Sequence, residues 1–127
     1  MTQVFFIDRS VGKKVIATAL RAAGATVEVH DDHFNQDAFD EEWLPVVGRR
    51  GWAVITSDDR IRYRTVEREA ATSAGVALFI FTGKRMRAAA IAAALVQALP
   101  GMLELLTNQP RPFVAKVSRT GIVALLK

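Results

Sequence analysis

The chain predicts an α/β fold, a three-layer sandwich with a mainly parallel central sheet, on three observations. Short apolar runs, Val4-Phe5-Phe6-Ile7, Trp52-Ala53-Val54-Ile55 and Val76 to Phe81, are bounded by polar residues or glycine, as buried parallel strands are. Stretches of helical spacing alternate with them, and repeated β-α units imply a doubly wound sheet with right-handed crossovers. The 127 residues contain no internal repeat, low-complexity tract or linker, so one domain over residues 1–127 is expected.

Each element follows from its local pattern. Strand one is Gln3–Asp8. Val15, Ile16, Ala19, Leu20 and Ala23 keep helical spacing and predict a helix over Val11–Ala23, with Ser10 as its N-cap and Gly24 as its stop. Strand two is Thr26–His30, where Val27 and Val29 alternate, and the polar segment Asp31–Asp37 has the length of an active-site loop. A helix over Asp40–Arg50 carries Trp43, Leu44, Val46 and Val47, with Pro45 tolerated only in its first turn, and ends at Gly51. Strand three is Trp52–Thr56, a helical segment runs from Arg60 to Ser73 and stops at Gly75, and strand four is Val76–Phe81. Met86–Leu106 is helical, with Pro100-Gly101 expected to interrupt it. Phe113–Ser118 and Gly121–Leu126 frame an Arg119-Thr120-Gly121 turn, an antiparallel hairpin at the sheet edge. Trp43, Trp52 and the phenylalanines read as core.

Composition narrows the class. With 50% hydrophobic and 24% charged residues the chain reads as a globular protein rather than a disordered one. The absence of cysteine excludes disulfides and thiolate metal sites and is compatible with a reducing cytoplasm. Met1-Thr2-Gln3 has no basic stretch leading an apolar one, so no signal peptide is expected. Ala88 to Leu99 is too short and alanine-rich to span a bilayer, so a cytoplasmic location without membrane association is expected. Net charge is +4, but residues 1–42 hold 4 Lys/Arg against 8 Asp/Glu and residues 43–127 hold 13 against 5. An acidic half for metal and a basic half for phosphate suit a nucleic-acid enzyme.

The acids sit where such chemistry needs them. Asp8 and Asp58 end strands, and Asp40-Glu41-Glu42 opens a helix; ligands of open α/β sheets lie outside the carboxyl ends of the strands. Clustered carboxylates repel unless a cation compensates them, and all-oxygen sites suit Mg2+, with Mn2+ as the alternative. The pattern points to metal-dependent phosphodiester chemistry, in which one or two ions activate water and stabilise charge. Asp8 and Asp58 are candidate direct ligands, and Asp40 or Glu42 binds directly or through water. Competing structural roles are helix-terminal acids for Asp8, Asp58 and Asp59 and a solvated first turn for Glu41 and Glu42. Thr56-Ser57 either orders a carboxylate or water, or merely ends a strand. His30-Asp31-Asp32-His33 lies on a strand-to-loop junction rather than one helical face, which argues against zinc.

Arg60, Arg62 and Arg64 directly follow the third acid and suit bidentate phosphate contact, with Tyr63 available to stack on a base. Lys84, Arg85 and Arg87 follow strand four on the same side of the sheet. Their competing role is a solvated helix face, with the arginines paired to Glu67 and Glu69. A receiver-like domain with Asp58 as phosphoacceptor and Thr82-Gly83-Lys84 beside it is a rival, but Arg9 replaces the second acid after Asp8 and Asp40-Glu41-Glu42 has no role there.

The ordered set Phe6-Ile7-Asp8, Asp40-Glu41-Glu42-Trp43-Leu44 and Gly51-Trp52-Ala53-Val54-Ile55-Thr56-Ser57-Asp58 resembles the PIN-like domains, nearest the short subfamily close to VapC-type toxins. His30-Asp31-Asp32-His33-Phe34 and Arg60-Ile61-Arg62-Tyr63-Arg64 are similar too, and the resemblance runs from residue 4 to the C-terminal hairpin. It implies a Mg2+-dependent endoribonuclease, the toxin of a type II toxin–antitoxin pair. It further implies RNA as substrate, a small antitoxin that occludes the acidic site, and homodimerisation. Asp8 matches the first family aspartate, Asp40 the helix-borne acid and Asp58 the acid after Thr-Ser. The fourth family acid is not matched, because Asp59 adjoins Asp58 and is expected to point elsewhere. The alternative is a non-catalytic PIN-like module that binds nucleic acid or protein.

Overall fold

The computed structural model describes residues 3–11, 14–58, 69 and 72–126, and the side chains of all these except Asp40. Six strands form one sheet: β1 (Val4–Ile7), β2 (Thr26–Val29), β3 (Ala53–Thr56), β4 (Ala77–Phe81), β5 (Phe113–Val117) and β6 (Val123–Leu125). Their order is β2-β1-β3-β4-β5-β6, parallel throughout except for the β5–β6 hairpin at the edge. Chain direction across the sheet reverses at β1, with β2 on one side and β3 on the other, so the crevice expected at a topological switch point opens between β1 and β3.

Alternation along the strands divides the core in two. Phe5, Ile7, Val27, Val29, Ile55 and Phe79 face helices α1 (Lys14–Ala22) and α3 (Ala88–Asn108), which supply Ile16, Leu20, Leu95 and Met102. Phe6, Val54, Leu78 and Ile80 face helix α2 (Asp40–Arg49), which supplies Trp43, Leu44 and Val47. The result is the α/β/α sandwich that period-two strands between amphipathic helices require. A 3-10 turn, His30–Asp32, follows β2. Rings then close over Phe6: Trp43 lies 5.2 Å from it, Phe34 5.9 Å edge-on, and Trp52 6.0 Å stacked. This aromatic packing fixes the segment between β2 and α2 against the sheet.

Three expectations are corrected. Val11 lies in a turn, so the first helix does not start directly after Ser10 and Ser10 is not its N-cap; its hydroxyl donates to Asp8 instead. Pro100-Gly101 does not interrupt α3, which is continuous for 21 residues. Pro100 lies on the exposed side, and burial of Leu95, Ala98, Leu99 and Met102 offsets the roughly 3 kcal/mol a mid-helix proline costs. Gly101 lets Val123 of β6 pack close, since a Cβ there would lie 3.1 Å from Val123 Cγ2. At full length α3 is long and apolar enough to cross a membrane, although its Leu95–Met102 stripe is packed into the core. Lastly, β1-α1-β2 and β4-α3-β5 run in opposite directions over the same face, so they have opposite hands and the crossovers are not uniformly right-handed. The helix expected from Arg60 to Ser73 lies mainly outside the described residues.

Gly48 tests whether packing or propensity governs α2. Alanine stabilises a helix interior by about 1 kcal/mol relative to glycine, yet a Cβ at Gly48 would meet the Ala74 carbonyl oxygen at 2.4 Å and Ala74 Cβ at 2.5 Å. Overpacking wins: Gly48→Ala is expected to lose about 1–3 kcal/mol in urea unfolding, whereas a gain would refute the close approach of α2 to residue 74.

Candidate active site

Asp8 extends β1 by one residue, its N–H donating to Ile55 O at 3.1 Å. Register pairs Ile7 with Ile55, so Asp8 and Thr56 stand side by side at the carboxyl ends of neighbouring strands. Asp8 is 5% exposed and Thr56 fully buried. The carboxylate is held on both oxygens. Oδ1 accepts the Ser10 N–H at 2.9 Å and the Ser10 hydroxyl, and Oδ2 accepts the Thr56 hydroxyl at 2.5 Å. Both hydroxyl protons are thereby committed, so the 3.1 Å contact between Ser10 Oγ and Thr56 Oγ1 has none left for itself. Their lone pairs serve the next loop: Ser10 Oγ accepts the Ser57 N–H at 2.9 Å and Thr56 Oγ1 the Asp58 N–H at 3.0 Å.

This relay ties Asp58 to Asp8 through Thr56. Burial raises the Asp8 pKa above its ordinary value of 3.8; the Ser10 and Thr56 hydrogen bonds oppose that rise, and the nearby charge of Asp58 adds to it. The two strand-end acids therefore share one electrostatic neighbourhood. Arg9 brings in the third element, its guanidinium donating to Ala38 O at 3.4 Å, two residues before Asp40 opens α2. Glu41 and Glu42 are exposed in that first turn, and the Asp40 side chain lies outside the described residues. Among the described residues no group of three or more His, Asp or Glu side chains forms a metal cluster.

Other candidates separate clearly. Lys84, Arg85 and Arg87 are exposed just beyond β4, at the same end of the parallel sheet as Asp8. Arg60, Arg62, Arg64, Tyr63 and Asp59 lie outside the described residues. Thr82, part of the receiver-like constellation, donates its hydroxyl to Val117 O at 3.3 Å. The histidines serve different partners: buried His30 contacts Asp31 through Nδ1 at 3.2 Å, and His33 Nε2 meets Glu28 at 2.6 Å. Ser10 is the residue sequence reasoning misplaced; its spacing two after a strand-end aspartate, the pattern of an Asx turn, was the available signal.

Residues 3–83 match a family described as PIN like domain. A curated relative from Mycobacterium tuberculosis (strain H37Rv), named "Putative ribonuclease VapC45", is 28% identical over 125 residues, covering 95% of this chain and 90% of that protein. No solved structure matches the chain.

Asp8 gives a pH test with a definite sign. Because the folded pKa lies above the unfolded one, its contribution to stability is fully present below pH 3.8 and lost as pH rises through the folded value. Asp8→Asn lacks that loss, so in chelator its stability relative to wild type should improve steadily from acid to neutral pH in urea unfolding. A difference independent of pH would refute the buried, raised carboxylate.

Proposed function

The chain belongs to the PIN-like domain family, and from that premise we propose that it is a divalent-metal-dependent endoribonuclease, the toxin of a toxin–antitoxin pair. The observation that carries this is a buried aspartate at the β1–β3 switch point, coupled through Thr56 to a second strand-end aspartate. The ribonuclease name of the relative supports the substrate class.

The donors fit a hard cation. Asp8 and Asp58 offer only oxygen, and Asp8 carries a desolvated charge that its hydrogen bonds do not fully offset. Asp40 is the helix-borne ligand in this reading, and Mg2+ is the expected metal, with Mn2+ able to replace it. The bound metal would activate water and stabilise charge on the scissile phosphate. Ser10 and Thr56 keep both Asp8 oxygens oriented, and the bonds they accept from Ser57 and Asp58 hold the second acid's loop in register. Arg60, Arg62, Arg64, Lys84 and Arg85 contact the RNA backbone beside this centre. A small antitoxin covers the acidic end of the sheet, and the protein works in the cytoplasm as a homodimer.

The decisive experiment is cleavage of RNA with and without Mg2+. Asp8→Asn and Asp58→Asn should each lower the rate by about 10²-fold or more while RNA binding survives, a loss of transition-state charge stabilisation. Mg2+ should raise the melting temperature of wild type through binding to the native state, and Asp8→Asn should abolish that rise. RNA binding that persists with no Mg2+-dependent cleavage would instead favour the non-catalytic module.

The basic groups make a separate prediction. For single-stranded RNA, each phosphate contact removed should flatten the log–log salt dependence of binding by about 0.7. Alanine at Arg60 and Arg62 together should lower affinity and slope while leaving the Mg2+-induced rise in melting temperature intact. Unchanged affinity and slope would make these arginines solvated surface charge.

A further inference from the structure

Between the segment after β2 and the first turn of α2 lies an open cleft of about 420 Å³, lined by Asp31, His33, Phe34, Asn35, Ala38 and Glu42. It neighbours the acidic centre: Arg9, next in chain to Asp8, hydrogen-bonds Ala38 O on its wall. Its floor is built rather than loose. Buried His30 holds Asp31 Oδ1 at 3.2 Å, and Gln36 donates to Asp31 Oδ2 at 3.4 Å. Among the described residues His30 Nε2 has no hydrogen-bond partner, and the ring is enclosed by Phe6, Phe34 and Trp43. One wall is aromatic, since Phe34 packs edge-on against Phe6 and His33 lies 5.2 Å from Trp52, also edge-on. Exposed Glu42 and Asn35 supply acceptors and a donor.

We infer that this cleft is the nucleobase pocket of the enzyme and that it selects guanine next to the cleaved phosphate. The inference rests on the ribonuclease reading for its class of ligand. A single-stranded base is recognised by stacking on rings and hydrogen bonding along its Watson–Crick edge. A carboxylate accepts two parallel N–H donors, and guanine, through N1–H and the N2 amino group, presents that pair. Uracil offers one donor there, and cytosine and adenine one amino group each. Glu42 is the acceptor, the Asn35 amide can donate to guanine O6, and Phe34 and His33 form the stacking wall. The acidic lining disfavours a phosphate inside the cleft, which places the backbone outside it, toward Arg9 and the Asp8 centre. Charge alone would suit a basic peptide as well; the ribonuclease reading of the neighbouring centre is what favours RNA as occupant.

The test is anisotropy with eight-nucleotide uridine RNAs carrying one central G, C, A or U, measured in chelator so that binding is read without cleavage. Wild type should bind the G-containing RNA about tenfold more tightly than the all-uridine one, the discrimination expected of a bidentate contact. Glu42→Gln keeps the side-chain size but offers one acceptor, and should erase most of that ratio while leaving all-uridine binding nearly unchanged. Asn35→Ala should reduce it in part. Equal binding of all four RNAs, or a guanine preference that survives Glu42→Gln, would overturn the assignment. So would base-blind RNA binding combined with Glu42-dependent capture of an arginine-bearing peptide, which would give the cleft to a protein partner. A parallel Mg2+ cleavage assay of wild type and Asp8→Asn reports on the ribonuclease reading alone, so failure of either reading is seen separately.

Discussion

A carboxylate buried at the end of β1 is the constraint on which this end of the molecule depends. Asp8 is nearly inaccessible, and three donors, the Ser10 N–H and the Ser10 and Thr56 hydroxyls, are turned toward it. The arrangement explains features that look unrelated. Ser10 is spent on Asp8, so it does not cap α1, and Val11 stays in a turn. Thr56 must end β3 beside Asp8, which requires the Ile7–Ile55 register. The loop carrying Asp58 is then held by the lone pairs those two hydroxyls retain. One hydrogen-bonded knot thus joins two strands, two loops and two acids.

The opposite constraint, apolar packing, positions the third element. Phe6 is the hub: Trp43 of α2, Trp52 before β3, and Phe34 and His30 after β2 all lie within about 6 Å of its ring. Because Phe6 is two residues from Asp8 on the same face of β1, whatever packs on it is carried toward the acidic centre. The Arg9–Ala38 hydrogen bond then fastens the entry to α2 at the residue after Asp8. Fixing the α2 entry by packing leaves the acids of its first turn free of structural duties in the core, since Glu41 and Glu42 are both exposed.

The strands were legible because their signal is local and redundant. Ile7, Ile55 and Phe79 alternate with Phe6, Val54 and Leu78 in runs that only a sheet covered on both faces accommodates. Asp8 and Asp58 were legible as strand-end acids, and Thr56 as a hydroxyl able to order a carboxylate. What stayed hidden depends on partners distant in sequence. Ser10 matches both an N-cap pattern and an Asx turn on Asp8, and what decides between them is its contact with Thr56, 46 residues away on the neighbouring strand. Pro100-Gly101 carries a local break signal that is overridden by burial of the α3 stripe around it. The hand of the β4-α3-β5 crossover has no local sequence signature, because it depends on which face α3 packs against, the one it shares with α1.

Magnitudes suggest why such a site suits a cation rather than a neutral ligand. Burying a carboxylate costs several kcal/mol even after relaxation, and a hydrogen bond to a charged group returns about 1.5–3 kcal/mol. Three donors on Asp8 bring these opposing effects to the same order, yet the pKa is still raised, so desolvation retains the upper hand and Asp58 adds repulsion. More hydroxyls would close that gap by stabilising Asp8 alone. A divalent cation would close it while also turning the repulsion between Asp8 and Asp58 into shared attraction, which no neutral donor does. The same balance makes protons competitors of the metal: as pH falls toward the raised pKa, protonation of Asp8 removes the charge that holds the cation. An acid set near balance, rather than fully satisfied, is what a site that must bind a cation requires.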